Sequence, residues 1–338
     1  MKHARRRQGK GAFDLIEEAT QLLRTAPAAT LAVYYLGAIP FVLGLLFFWA
    51  DMSRNPFADQ HLADASLAIS LLFLWMKFWQ VVFARRVRAQ VAAAAPPALN
   101  FHRGRRIFLT QAILQPSGLF LIPLSMVPVL PFAWVYAFYQ NATALADGEK
   151  STPELFQKSC RQAALWPGQN NLALAILVGF AFYVFLNWTT VCLVLPKLLT
   201  MFLGVQSVFS KSPWSMLNTT FFAAMFGLTY LCIDPILKTF YVLRCFYGES
   251  LQSGEDLKAE LKPFVGFAQR LAVIILIFSA VFWSMSAGAA DARPPANPRN
   301  APQMSPQDLD RAISETIHEN KYTWRMPREK VEEADADR

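Results

Sequence analysis

The stretch LTYLCIDPILKTFYVLRC, residues 228–245, sets an aspartate, a proline and a lysine inside one of the most apolar runs of the chain. An ionised carboxylate at the centre of a bilayer costs several kcal/mol, so such a residue is a functional candidate by default. Asp234 and Lys238 are four apart with the acid first, the spacing of an intrahelical ion pair. Asp before Pro is also the N-cap and first-turn pattern of a helix that restarts after a break. Proline removes a backbone donor and frees a carbonyl one turn earlier. The stretch therefore predicts a kinked or discontinuous helix, with Asp234 capping its second half and Lys238 pairing or snorkelling inward. Discontinuous helices line binding sites in transporters; the same pattern also serves as a plain kink. An acid and a lysine that satisfy each other leave little charge for a substrate or a proton relay, which favours the structural role.

Other polar residues in apolar runs are Asn187, Thr189 and Thr190 in FLNWTTV. They suit hydrogen bonds between helices, or coordination of a ligand. The candidate intramembrane polar site is thus Asp234, Lys238, Asn187 and Thr190. Lys77, in LWMKFWQVVFARR, is expected to snorkel between Trp75 and Trp79 toward the arginines that follow. No GxSxG, HExxH or phosphate-cradling glycine loop occurs. The cysteines (Cys160, Cys192, Cys232, Cys245) form no CxxC pair, and the histidines (His3, His61, His102, His318) have no ligand spacing. No catalytic set, metal or cofactor is expected, and the protein does not read as an enzyme.

The elements that hold these residues are membrane helices. Of 338 residues, 54% are hydrophobic and only 17% charged, where a soluble domain has about a quarter. Several apolar runs approach or exceed the roughly 20 residues that cross a bilayer core. Residues 12–26, AFDLIEEATQLLRTA, place Leu15, Ile16, Ala19, Leu22 and Leu23 on one helical face, an amphipathic helix in the interface or an extension of the first span. Spans are predicted at about 28–50 and 65–84. The forty residues 107–146, interrupted by prolines, predict a tight hairpin of two spans turning near 124–130. Further spans follow at about 171–196, from a Ser212–Pro213 cap to about 244, and at 268–287. The expected fold is all-α, a polytopic helical membrane protein of about seven transmembrane helices plus the N-terminal amphipathic helix. Its parts are a basic N-terminus (1–27), the transmembrane domain (28–288) and a Pro-rich linker and tail (289–338).

Charge placement orients the chain. Segments 1–27, 85–106, 147–170 and 244–270 hold nineteen Lys and Arg; the opposite loops, 51–64 and 197–212, hold three. Positive loops stay inside, so the N-terminus is expected in the cytoplasm and the tail outside, in the periplasm of a bacterium, with the chain in the inner membrane. This placement also accounts for the net charge of +8 without nucleic acid, for which no binding module is present. The run 270–292 ends in Ala287-Gly288-Ala289, like an internal signal peptide; an uncleaved anchor is the plainer reading, and cleavage after Ala289 the alternative.

In the tail, SPQDLDRAISETIHEN starts with Ser305 and Pro306 in N-terminal capping positions and carries an apolar stripe of Leu309, Ala312, Ile313 and Ile317, followed by Tyr322 and Trp324. One helix cannot bury a stripe alone. Leu309, Ile313, Ile317 and Trp324 are therefore expected to dock on the membrane domain, on the bilayer, or on a membrane or periplasmic protein partner.

FYVLRCFYGESLQSGEDLKAEL, with Tyr241, Arg244, Glu249, Gly254, Asp256 and Leu257, resembles the end of the membrane domain found beside bacterial glycerophosphoryl diester phosphodiesterases, and the start FDLIEEATQLLRTAP is similar too. That domain is a multi-helix module without the catalytic residues of the phosphodiesterase, and the resemblance implies a non-catalytic membrane part. LDRAISETIHENKYTWRMPREK is similar to the segment preceding a small C-terminal domain of unknown function in bacterial membrane proteins often encoded beside a transglutaminase-like protein and an AAA-type ATPase. The chain stops at Arg338, before such a domain. The reading that follows is a non-enzymatic inner-membrane scaffold or anchor for partner proteins. The alternative is a transporter or lipid-handling protein built around a broken sixth helix at Asp234-Pro235.

Overall fold

A computed structural model describes residues 9–96, 98–126, 132–204 and 217–259. The expected seventh span (268–287), the Ala287–Ala289 site, the tail with Leu309, Ile313, Ile317 and Trp324, and the Ser212–Pro213 cap lie outside the described residues. In chain order the main helices are α1 (Ala12–Thr25), α2 (Ala28–Arg54), α3 (Ala58–Val91), α4 (Phe101–Ser125), α5 (Phe132–Ala144), α6 (Thr152–Ala164), α7 (Pro167–Leu203) and α8 (Thr219–Ser253). No strand occurs among the described residues.

Helices α2, α3, α4, α7 and α8 are long and apolar enough to cross a membrane. Their outward faces expose Leu43, Phe47, Leu71, Phe120, Val178 and Phe182, a spread of apolar surface that hydrocarbon accommodates and water does not. Among the described residues five helices of spanning length are present, not the expected six, because the hairpin has unequal arms. Helix α4 begins at Phe101 and takes most of the apolar stretch; α5 has 13 residues, about 20 Å at 1.5 Å each, short of a bilayer core. The two arms pack antiparallel as expected of a hairpin. Gln111 Nε2 donates to the Ala142 carbonyl (3.3 Å), Gln115 Nε2 to Thr143 Oγ1 (3.1 Å), and Ser117 and Tyr139 share a hydroxyl bond of 2.8 Å.

The amphipathic start is a helix of its own. Helix α1 ends at Thr25, and Pro27 is the N-cap of α2. Its stripe, Ala12, Leu15 and Ala19, is buried and packs on α8 and α7, so the apolar face meets protein, not headgroups.

Helix α8 is the axis of the fold. It packs against α1, α2, α3, α5 and α7, and from Ile233 to Phe246 all but Ile236 are buried. That is why residues 228–245 are apolar all round. Its start is Asn218, whose side-chain oxygen accepts from the Phe221 N–H at 2.9 Å. Its end is Gly254 at φ 64°, whose N–H bonds the Ser250 carbonyl at 2.8 Å, the left-handed stop that favours glycine. The helix thus runs nine residues past the expected end near 244.

Pro235 does not break α8, contrary to the discontinuity read from the sequence. Proline leaves the Leu231 carbonyl without its helical donor. The Tyr35 hydroxyl, from α2, donates to that carbonyl at 3.4 Å. The cost of the proline is met by a neighbouring helix, so no second cap is required.

The helix ends beside the arginine-rich loops gather at one end of the described helical bundle. There Glu249 of α8 pairs with Arg88 of α3 and Lys158 of α6. Lys10 pairs with Glu18 of α1 and donates to the Tyr247 hydroxyl of α8, and Arg103 of α4 pairs with Glu149. Trp166, the N-cap of α7, lies at the same end.

Candidate intramembrane polar site

Asp234 and Lys238 lie on the face of α8 that points into the bundle, 5% and 3% exposed. One helical turn sets the ammonium 3.6 Å from Asp234 Oδ1, the ion pair the spacing predicts. Other helices complete the cluster. Tyr34 of α2 donates its hydroxyl to Asp234 Oδ2 at 2.8 Å. Gln80 of α3 donates its amide to the same oxygen at 3.0 Å and to the Tyr230 hydroxyl at 2.8 Å. Lys238 donates to Gln140 Oε1 of α5 at 2.5 Å. The Tyr230 hydroxyl donates in turn to Met76 Sδ at 3.3 Å.

The arrangement balances charge. One carboxylate meets one ammonium, and the carboxylate also accepts from two side chains, Tyr34 and Gln80. In a low dielectric such a pair is retained only when its remaining lone pairs and protons are also satisfied. Four helices, α2, α3, α5 and α8, each contribute a group, so the cluster fixes their mutual register. Gln80 Oε1 is its one buried side-chain oxygen without a partner among the described residues.

The other two expected members are elsewhere. The side chains of Asn187 and Thr190 are exposed on α7 and bond back to their own helix, to the Tyr183 and Leu186 carbonyls at 2.8 Å each. Thr189 does the same with Phe185. Back-bonding of this kind satisfies a polar group without an interhelical partner, so they join neither Asp234 nor another helix. Lys77 does not lie between two tryptophans: its ammonium sits 5.3 Å over the Phe73 ring, one turn back along α3, the direction in which helical side chains lean.

Reading the sequence missed Tyr34, Gln80 and Gln140. Gln80 and Gln140 were detectable as amides inside apolar runs, in KFWQVVF and AFYQNAT. Tyr34 carried no signal, since a tyrosine in such a run reads as apolar or interfacial.

Tyr230 connects the cluster to an apolar groove of about 600 Å³ between α2 and α8. Phe41, Val42, Leu46 and Trp49 line one side, Phe222 and Phe226 the other. Gly227 also lines it, and there the two helices approach closely: a Cβ on Gly227 would stand 2.8 Å from Val42 Cγ1.

Among the described residues no group of three or more His, Cys, Asp or Glu could hold a metal. No protein-family model, curated protein or solved structure matches the chain.

Proposed function

We propose that this protein is a non-enzymatic scaffold of a bacterial inner membrane, with its basic end in the cytoplasm and its tail outside. The observation that carries the reading is the charge-compensated Asp234–Lys238 cluster, bound to Tyr34, Gln80 and Gln140 from three other helices. A site for a charged cargo or a proton relay needs a charge free to serve it; here acid and base are spent on each other and on neighbouring helices. The cluster acts as a clasp, and partner binding falls to the two ends, the segment around GESLQSGEDL inside and Leu309, Ile313, Ile317 and Trp324 outside. The arginine bias supports the orientation, and the likeness to a membrane domain without catalytic residues supports the absence of catalysis. The test is co-purification from the native membrane with and without residues 300–338. A stoichiometric partner lost on deletion supports the scaffold; an unchanged set of proteins rejects the part given to the tail.

A second reading, lipid handling or transport, draws on the groove that ends at Tyr230. It expects Asp234→Asn to abolish retention of a co-purified lipid or small molecule in a folded protein. Loss of thermal stability alone favours the clasp.

A further inference from the structure

Helices α3 and α4 leave a groove of about 410 Å³ between them, beside the first two turns of α4. Its walls are aromatic: Trp75 and Phe78 from α3, Phe101 and Phe108 from α4. The α3 wall is fixed in place. Trp75 Nε1 donates to the Leu36 carbonyl at 3.1 Å, and both Trp75 and Phe78 pack edge-on against Trp79. A preformed apolar groove of this size suits a small ligand or one chain of an amphiphile. Its polar members are Arg105 and Asn100, both exposed. The Asn100 side chain makes no capping bond, and the first turn of α4 carries no acid. Of the nearby arginines, Arg103 has Glu149, whereas Arg105 meets no described acid.

A glycine keeps the groove open. Gly104 lines it from within α4, where alanine would make the more stable helix. Packing does not demand the exchange: a Cβ at 104 would meet the Phe78 ring at 3.9 Å, an ordinary contact, whereas one at Gly37 would stand 2.6 Å from Trp79. Alanine therefore fits at 104, and a longer side chain would grow into the space. Helical side chains lean toward the N-terminus, so Arg105 reaches back toward Asn100 and the basic end.

We propose that the groove between α3 and α4 binds one anionic phospholipid from the leaflet at the basic end. Its phosphate sits on the Arg105 guanidinium and the Asn100 amide, and one acyl chain lies between Phe78 and Phe108, past Gly104. A guanidinium fork matches phosphate oxygens, and basic pockets between membrane helices suit anionic headgroups. The surface beside the groove favours lipid over protein as the occupant: Leu71 of α3 and Leu109 and Ile113 of α4 are exposed there, and in a bilayer such a surface meets acyl chains. Charge selects the headgroup. His102, Arg103 and Arg106 flank Arg105, and no acid in the first turn of α4 receives the ammonium of a zwitterionic lipid. The proposal rests on these helices spanning a membrane and not on the scaffold role.

The test is native mass spectrometry of the full-length protein in neutral detergent at fixed ionic strength, titrated with phosphatidylglycerol or with phosphatidylcholine of the same chains. Wild type should retain phosphatidylglycerol saturably, with phosphatidylcholine half-saturating at a concentration at least about fivefold higher. Arg105→Gln should raise the phosphatidylglycerol value about fivefold, whereas Arg106→Gln, which removes the same charge outside the groove, should change it by less than about twofold. Gly104→Leu should abolish retention and Gly104→Ala preserve it. Equal retention of the two lipids, or equal effects of Arg105→Gln and Arg106→Gln, overturns the proposal. So does a wild-type dimer that Gly104→Leu dissociates without any change in bound lipid, which would assign the groove to a second copy of the chain. If Gly104→Leu does not fold, the two arginine variants decide alone.

Discussion

Tyr34 and Asp234, 200 positions apart, share a buried hydrogen bond of 2.8 Å. It ties the first long helix to the last described one, at the level where Lys238 and Gln80 also meet the carboxylate. The acid is thereby a node between helices and not a feature of α8 alone.

Removing one member of the pair should then cost more than removing both. Asp234→Leu leaves Lys238 buried without a counter-charge, and Lys238→Met does the reverse. Each is expected to destabilise by about 3–5 kcal/mol, while the double variant falls well short of the sum. Equilibrium unfolding in mixed micelles measures the cycle. Additive losses would mean that the two charges are not coupled.

The intact helix through Pro235 makes a second cycle. Tyr35→Phe removes the hydroxyl that serves the Leu231 carbonyl and should cost about 1 kcal/mol. In a Pro235→Ala background the alanine N–H can take that carbonyl, so the same change should cost close to nothing. An equal loss in both backgrounds would show that the tyrosine does not compensate for the proline.

Close packing of α2 on α3 rests on Gly37. A Cβ there would lie 2.6 Å from Trp79 Cβ and 3.3 Å from the Met76 backbone, neither of which can swing aside. Gly37→Val is expected to destabilise by about 1–3 kcal/mol through overpacking, with Gly179→Val, where a Cβ meets nothing within 4 Å, as the control. A thermal midpoint equal to the control's would show that the two helices can separate at no cost.

The residues read from the sequence and the residues missed differ in range. The Asp234–Lys238 pair lies within one turn, and local spacing announces it. The helices of spanning length and the amphipathic α1 were also visible, because apolar length and periodicity are local properties. The continuity of α8 was not, since the compensating hydroxyl comes from Tyr35, 196 positions away. Asn187 and Thr190 misled for the opposite reason. A polar residue in an apolar run announces a need for a partner, yet each finds one four residues back on its own helix.

Asp147, in the loop between α5 and α6, gives a dependence on pH. Burial alone pushes its carboxyl up. The Lys150 ammonium and the N–H groups of Glu149 and Lys150 outweigh that and hold it below its ordinary value. A depressed carboxyl stabilises the fold fully above the unfolded value of about 3.9, and the gain is lost as pH falls through the folded value. Asp147→Asn should therefore be less stable than wild type at neutral pH, and the difference should close as the solution becomes strongly acidic. A difference that stays constant with pH would exclude the carboxylate as its source.

Glu249 makes the most local of these predictions. Its side chain is 10% exposed and receives Arg88 from α3 and Lys158 from α6. Glu249→Gln removes the carboxylate that both cations share, leaving Arg88 with the longer contact to Glu255 at 3.8 Å and Lys158 facing Arg88 across a partly dry gap. A loss of about 1.5–3 kcal/mol is expected, but it should not spread evenly. Helix α6 is otherwise held by neutral contacts, such as Phe156 against the Phe138 ring at 5.1 Å, whereas α3 is clamped along its length by α2. Amide exchange should therefore accelerate across residues 152–164 and change little in α3. Uniform acceleration would place Glu249 in the global core; unchanged exchange in α6 would show that its charges contribute nothing to holding that helix.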